Sequence, residues 1–197
     1  MKLIFIDTET SHFLPTGALL QLAGFIDIDG EVVDTFNYKL RPYGNEEWSQ
    51  TAIDKTGITR EIAETFTDPH EVFISFNQLL EKYIDRFDKT DKAFFVAYNA
   101  KFDEEYIRNW FIKEAKTDRD REFGNGYGCF FWTPSIDIMQ LAALRTMKSR
   151  QDFPNFQLST VCQSLGIDFN EEEAHEALYD IRKSRELYYM LKGKKNG

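Results

Sequence analysis

The sequence predicts one α/β domain built on a mixed sheet, with three antiparallel strands followed by alternating helices and strands. Three observations carry that expectation. Three extended runs open the chain, Leu3 to Asp7, Leu20 to Ile28 and Glu31 to Leu40, and the last two are parted by Asp29-Gly30. Such a pair accepts the positive φ that a tight hairpin turn requires. A later run, Ala93 to Tyr98, is apolar throughout, as a strand buried on both faces must be. The segments around and after it carry apolar residues at helical spacing.

Taken in order, residues 41–67 hold Pro42, Gly44 and Gly57 and read as irregular. Asp68-Pro69-His70-Glu71 has the form of a helix start, with an N-cap, proline at the first helical position and Glu three after the cap. Val72, Phe73, Phe76, Leu79, Leu80, Tyr83, Ile84 and Phe87 then form one apolar stripe. A second helix after Tyr98 turns Phe102, Tyr106, Ile107, Trp110 and Phe111 inward. Thr117 to Gly128 reads as a surface loop and Cys129 to Trp132 as a further strand. Ser135 is placed to cap a helix running to about Lys148. Leu158 to Leu165 forms a short helix stopped by Gly166. The last helix spans His175 to Leu191, with Leu178, Ile181, Leu187, Tyr188 and Leu191 facing the core.

With 197 residues, 42% hydrophobic and 29% charged, the chain has enough apolar material for one large core. No apolar run approaches the ~20 residues that span a bilayer, so no membrane role is expected. A carboxylate at Asp7 interrupts the opening apolar run too early for a signal peptide. Cys129 and Cys162 have no metal-ligand spacing and read as free thiols, which fits a cytoplasmic address. The net charge of −9 and pI near 4.9 argue against a protein that coats nucleic acid through a basic face. They leave room for an enzyme whose acidic ligands meet their substrate through bound cations.

Three segments carry candidate chemistry. In Phe5-Ile6-Asp7-Thr8-Glu9-Thr10 the two acids are two residues apart, so both leave the same face of an extended chain. Paired hard oxygen ligands suit Mg²⁺ or Mn²⁺. In Tyr98-Asn99-Ala100-Lys101-Phe102-Asp103 the acid falls in the first turn of a helix. There it serves equally as a complement to the helix dipole, and Asn99 as an N-cap. In Ala174-His175-Glu176-Ala177-Leu178-Tyr179-Asp180 a carboxylate lies beside an apolar stripe, where it is costly unless paired or metal-bound. His175, with an ordinary pKa of ~6.5, is suited to accept a proton near neutrality.

Together, in this order and at these distances, the three segments resemble the DEDD superfamily of 3′→5′ exonucleases, specifically its histidine-bearing (DEDDh) branch. Thr56-Gly57-Ile58-Thr59, Ile136-Asp137-Ile138 and Leu158-Ser159-Thr160-Val161-Cys162 resemble lesser landmarks of the same family. The resemblance covers nearly the whole chain. It implies a ribonuclease H-like fold over residues 1–192 as one exonuclease domain, with 193–197 a short C-terminal tail. It implies two divalent ions, Mg²⁺ or Mn²⁺, held by Asp7, Glu9, Asp103 and Asp180, with His175 as general base. A sister branch carries Tyr four residues before the last Asp; that position here is Glu176, which favours the histidine branch. Tyr98 stands where the family usually has His, and Ile138 where it usually has Thr; neither is a metal ligand in the family pattern.

The same resemblance places substrate contacts at Thr10, Phe13, Leu19, Asn99 and Phe102. Core packing is an equal reading for Leu19, Leu20 and Phe102, whereas Phe13, beside Pro15 and Gly17, suits a surface contact. The expected reaction is hydrolysis of single-stranded DNA or RNA from its 3′ end, releasing nucleoside 5′-monophosphates. The alternatives are RNA 3′-end trimming and a non-catalytic ribonuclease H-like module. The expected partner is a single-stranded 3′ end, with a homodimer allowed. The short stretch after the last helix favours a stand-alone enzyme over one tethered to a DNA polymerase.

Overall fold

The computed structural model describes residues 1–116, 126–170 and 177–193. β1 (Lys2–Thr10), β2 (Leu19–Ile28) and β3 (Glu31–Lys39) form the antiparallel meander read from the sequence. Asp29 and Gly30 both take positive φ, 55° and 95°, at the β2–β3 turn, as a type I′ hairpin requires. β4 (Phe94–Ala97) pairs parallel to β1, from Leu3 opposite Phe94 to Phe5 opposite Val96. A two-residue β5 (Ile136–Asp137) pairs parallel to β4. Among the described residues the sheet order is β3-β2-β1-β4-β5, so β1 is central.

The helices depart from expectation in several places. Residues 41–67 are not wholly irregular: they contain α1 (Gln50–Thr56) and α2 (Arg60–Ala63). Gly57, left-handed at φ 68°, closes α1 by donating its N–H to Ile53, and the Thr59 side chain caps α2. α3 (Pro69–Glu81) starts as read, with Asp68 accepting from the His70 N–H at 2.9 Å. It ends well before Phe87, which is 88% exposed and no part of the core stripe. α4 (Ala100–Lys113) follows β4 directly.

The expected strand at Cys129 to Trp132 is instead a helical turn, α5 (Tyr127–Phe130), followed by a single bridge from Phe131 to Ala93. β5 takes up Ile136 and Asp137, so Asp137, not Ser135, caps α6 (Ile138–Arg145), accepting from the Gln140 N–H. The Ser135 hydroxyl bonds Glu104 at 2.7 Å. A 3₁₀ turn at Met147–Asp152 ends α6 before Lys148. α7 (Leu158–Ser164) lies ahead of Gly166, and α8 (Ala177–Gly193) runs one residue into the stretch assigned to the tail. The expected loop at 117–125 and the start of the last helix at His175 lie outside the described residues.

Strand alternation sends the β1 side chains into two layers. Ile4 and Ile6 pack with Val72, Phe76 and Leu80 of α3 and Ile107, Trp110 and Phe111 of α4. Leu3 and Phe5 pack with Val161 of α7 and Ile181, Leu187 and Leu191 of α8. A fully buried side chain of this kind contributes roughly 1.5–3 kcal/mol. α8 is also pinned to the hairpin by charge. Asp27, wholly buried, accepts from Arg185 Nε at 2.8 Å, the Tyr189 hydroxyl at 2.9 Å and the Gly30 N–H at 2.9 Å. Among the described residues no helix is long and apolar enough to cross a membrane.

Candidate active site

Because β1 and β4 run parallel, their carboxyl ends lie at the same edge of the sheet, where open α/β sheets place their ligands. β1 continues to Thr10, while its pairing with β4 stops at Phe5 opposite Val96. Asp7 and Glu9 therefore project from the overhanging end of a strand whose other half is core. Their odd parity puts them on the side of Leu3 and Phe5, against which α8 packs, and α8 carries Asp180.

Asp103 arrives from the opposite layer. It lies in the first turn of α4, is 3% exposed, and its Oδ1 accepts from the Thr8 N–H at 3.0 Å and the Thr8 hydroxyl at 2.7 Å. Thr8 thus hooks the α4 acid onto the strand between the two β1 acids. Sequence reasoning passed over Thr8; its position between Asp7 and Glu9, on the opposite parity and so toward α4, is the signal that points to it.

The four acids act on one another. The Asp7 carboxyl is pushed well above the ordinary range by loss of water, then by the charges of Asp103, Glu9 and Asp180. Glu9 rises to about 7 by burial and by Asp180, with the Lys55 ammonium pulling part of the way back. Asp103 also rises to about 7 through burial, despite the lowering effect of the two Thr8 hydrogen bonds. Among the described residues, no group of three or more His, Cys, Asp and Glu side chains is drawn together closely enough to hold a metal ion. His175 falls within 171–176, outside the described residues.

The expected substrate contacts divide. Phe13 is 45% exposed at the tip of the loop after β1. Thr10 is buried and donates its hydroxyl to the His12 carbonyl at 2.8 Å, so it shapes that loop from within. Leu19 is half-buried against the core, and a register shift between Glu9 and Thr10 sets it opposite Thr10. Asn99 takes the left-handed conformation at φ 69° ahead of α4 and makes no side-chain cap bond. Phe102, half-buried, packs on Tyr106 with ring centroids 5.2 Å apart. Tyr106, read from the sequence as facing the core and indeed buried, also donates its hydroxyl to the His12 carbonyl at 2.6 Å and contacts the Leu14 carbonyl, tying the Phe13 loop to α4.

A shallow hollow of about 630 Å³ lies at the far end of the sheet, lined by residues of 81–87 and Asp91. Its neighbourhood is ion-paired, Lys2 with Asp91 and Arg86 with Glu81. Chemistry, not cavity size, locates the site.

A central strand flanked by one antiparallel and one parallel neighbour, helices on both faces and acids at the strand ends define a ribonuclease H-like α/β protein. Residues 4–188 match the exonuclease family, and the chain belongs to that family. It is 28% identical over 186 residues to a PolC-type DNA polymerase III of Thermotoga petrophila, covering 94% of this chain and 11% of the polymerase. It is 28% identical over 202 residues to ribonuclease T of Photobacterium profundum, covering 97% of this chain and 82% of that one. The fold is shared with E. coli exonuclease I in complex with a dT13 oligonucleotide, at a TM-score of 0.73 and 20% identity, over 98% of this chain and 41% of the larger protein. The chain thus spans a small part of the polymerase and under half of exonuclease I.

Proposed function

We propose that the chain is a metal-dependent 3′→5′ exonuclease of single-stranded nucleic acid. The observation that carries this reading is the state of Asp7, on which Asp103, Glu9 and Asp180 all act to raise proton affinity. Buried acids that raise one another's proton affinity are offset by protons or by a cation, and such perturbed acids cluster at functional sites. The donor set fits Mg²⁺ or Mn²⁺, since carboxylate oxygens are the hard ligands these ions take. Asp7, Glu9, Asp103 and Asp180 would hold the ions. When bound, the two ions supply an activated water and stabilise charge on the leaving 3′ oxygen. His175 takes the proton from the attacking water, a role worth about 10²–10⁴-fold. Thr8 keeps Asp103 turned to the site, and Phe13 offers a ring on which a base can stack without sequence preference. The two free cysteines, Cys129 half-buried and Cys162 buried, suit a reducing, cytoplasmic setting.

The test is a gel assay of 5′-labelled single-stranded DNA and RNA with Mg²⁺, Mn²⁺ or EDTA. The reading requires a metal-dependent ladder shortening from the 3′ end, absent in Asp7→Ala, and the faster strand names the substrate. A ladder that persists in Asp7→Ala, or no cleavage of either strand, contradicts it.

A further inference from the structure

Among the described residues, the exonuclease reading accounts for the acids and leaves a cation at the carboxyl end of β1, Lys55, without a role. Lys55 is exposed, at the end of α1, and its ammonium lies 5.3 Å from the centroid of the Phe13 ring. Both partners are held in place. The Ser49 N–H, ahead of α1, donates to the Ser11 carbonyl at 2.8 Å, and the Ser11 hydroxyl donates to the Glu47 carbonyl at 2.6 Å. The Phe13 loop is closed by the Gly17 N–H on Leu14 and by the Tyr106 hydroxyl. A Cβ on Gly17 would lie 2.7 Å from His12 Cβ and 2.9 Å from the Tyr106 hydroxyl, so the loop keeps its shape only with glycine there.

A polyanionic strand nearing a chain of net charge −9, at the edge where four of its acids gather, meets repulsion before any base can stack. A cation beside both the stacking ring and the acids answers that repulsion. We propose that Lys55 is a substrate-binding residue, whose ammonium, presented beside the Phe13 ring at the carboxyl end of β1, takes a backbone phosphate of the single strand. The inference rests on the exonuclease reading and adds the contact that sets its electrostatics. A cation that only complemented the end of α1 would leave the salt dependence of strand binding untouched.

The test compares wild type with Lys55→Gln, Lys55→Arg and Lys89→Gln. Lys89 is an exposed lysine in the 82–92 segment, by the amino end of β1. Binding of a fluorescein-labelled dT oligonucleotide is followed by anisotropy in EDTA, and initial rates in Mn²⁺, each across a salt series. Loss of one phosphate contact on a single strand lowers the slope of log affinity against log salt by about 0.7. Lys55→Gln is expected to show that drop, with Kd and KM raised up to about fivefold at low salt, the scale of an exposed ion pair, and kcat within about twofold. Lys55→Arg and Lys89→Gln are expected to keep the wild-type slope. A wild-type slope in Lys55→Gln overturns the assignment, as does an effect confined to Mn²⁺ dependence, which would make Lys55 only a counter-charge for Glu9. If wild type binds with the expected slope difference but never cleaves, the exonuclease reading falls and the Lys55 contact stands. No measurable strand binding by wild type overturns the contact itself.

Discussion

The two ends of the β1–β2 pair each bury acid, and they treat it in opposite ways. At one end Asp27 is sealed from water and answered in full, by the Arg185 guanidinium, the Tyr189 hydroxyl and the Gly30 N–H. At the other, the charges of the described residues that move Asp7 are all further acids, Asp103, Glu9 and Asp180. Burying a carboxylate costs several kcal/mol unless the protein answers it. The Asp27 end meets that cost from within, and α8 is fastened to the hairpin as a result. The Asp7 end defers it, so the cost is met when a ligand arrives. Internal compensation fits a structural charge; its absence among the described residues fits the metal-binding role proposed for Asp7.

Exchanging the two ends in mutants gives the largest contrast. Asp7→Ala is expected to lower exonuclease turnover by at least ~10³-fold while melting no lower than wild type in EDTA, since it removes a repelling charge. Asp27→Ala should do the reverse. It removes the acceptor of the Arg185 Nε, the Tyr189 hydroxyl and the Gly30 N–H, and is expected to cost about 3 kcal/mol, or roughly 6–12 °C in Tm for a chain of this size, with specific activity retained at 25 °C. Thermal melts and rates on the two proteins check both statements. Equal stability loss in the two would erase the distinction.

Next in size is a pH dependence with a defined sign. Glu9 and Asp103 bind protons up to about pH 7 in the folded, metal-free protein, against ordinary values of 4.5 and 3.8. Between roughly pH 4 and 7 the folded chain therefore holds more protons than the unfolded one, and stability falls as pH rises through that window. Below the window the two states are protonated alike and the penalty is absent; above pH 7 it is present in full. On the proposed metal-binding role, Mn²⁺ is expected to remove it by binding the folded state. The Tm gain on adding Mn²⁺ is thus expected to be small at pH 5 and to reach several degrees at pH 8, about 2–4 °C per kcal/mol. A gain independent of pH would mean the carboxyls are not the ligands.

The smallest effect tests the hook between the layers. Thr8→Val keeps the strand and its N–H bond and removes the 2.7 Å hydroxyl bond to Asp103. It is expected to cost about 1 kcal/mol and to raise the Mn²⁺ concentration for half-maximal activity. Unchanged metal dependence would show that the N–H alone holds Asp103.

Much of this architecture is legible in the sequence, and the parts that are not share a cause. The Asp29-Gly30 hairpin, the capped start of α3 and the placement of Asp103 in the first turn of α4 follow from local rules that hold within a few residues. Phe130 and Phe131 defeated that approach: an apolar run of four fits a buried strand as well as a helical turn, and only the packing of the ring against Phe95 and Tyr127 decides. Phe87 continued the α3 stripe by spacing, yet the chain leaves the helix after Glu81. α1 and α2 were hidden in a stretch judged by its Pro and Gly, although Gly57 and Thr59 are themselves cap residues. At the site, the acids are visible because their spacing is local. Thr8 on Asp103, Tyr106 on the His12 carbonyl and Lys55 on Phe13 join residues 95, 94 and 42 positions apart, and no periodicity announces them.

The most direct test of the central claim is calorimetric titration of Mn²⁺ into wild type and Asp7→Asn at pH 8. The four acids are expected to bind two ions in wild type, and the loss of the Asp7 carboxylate to abolish at least one of them. Identical isotherms for the two proteins, or no binding to wild type at millimolar Mn²⁺, would contradict the account.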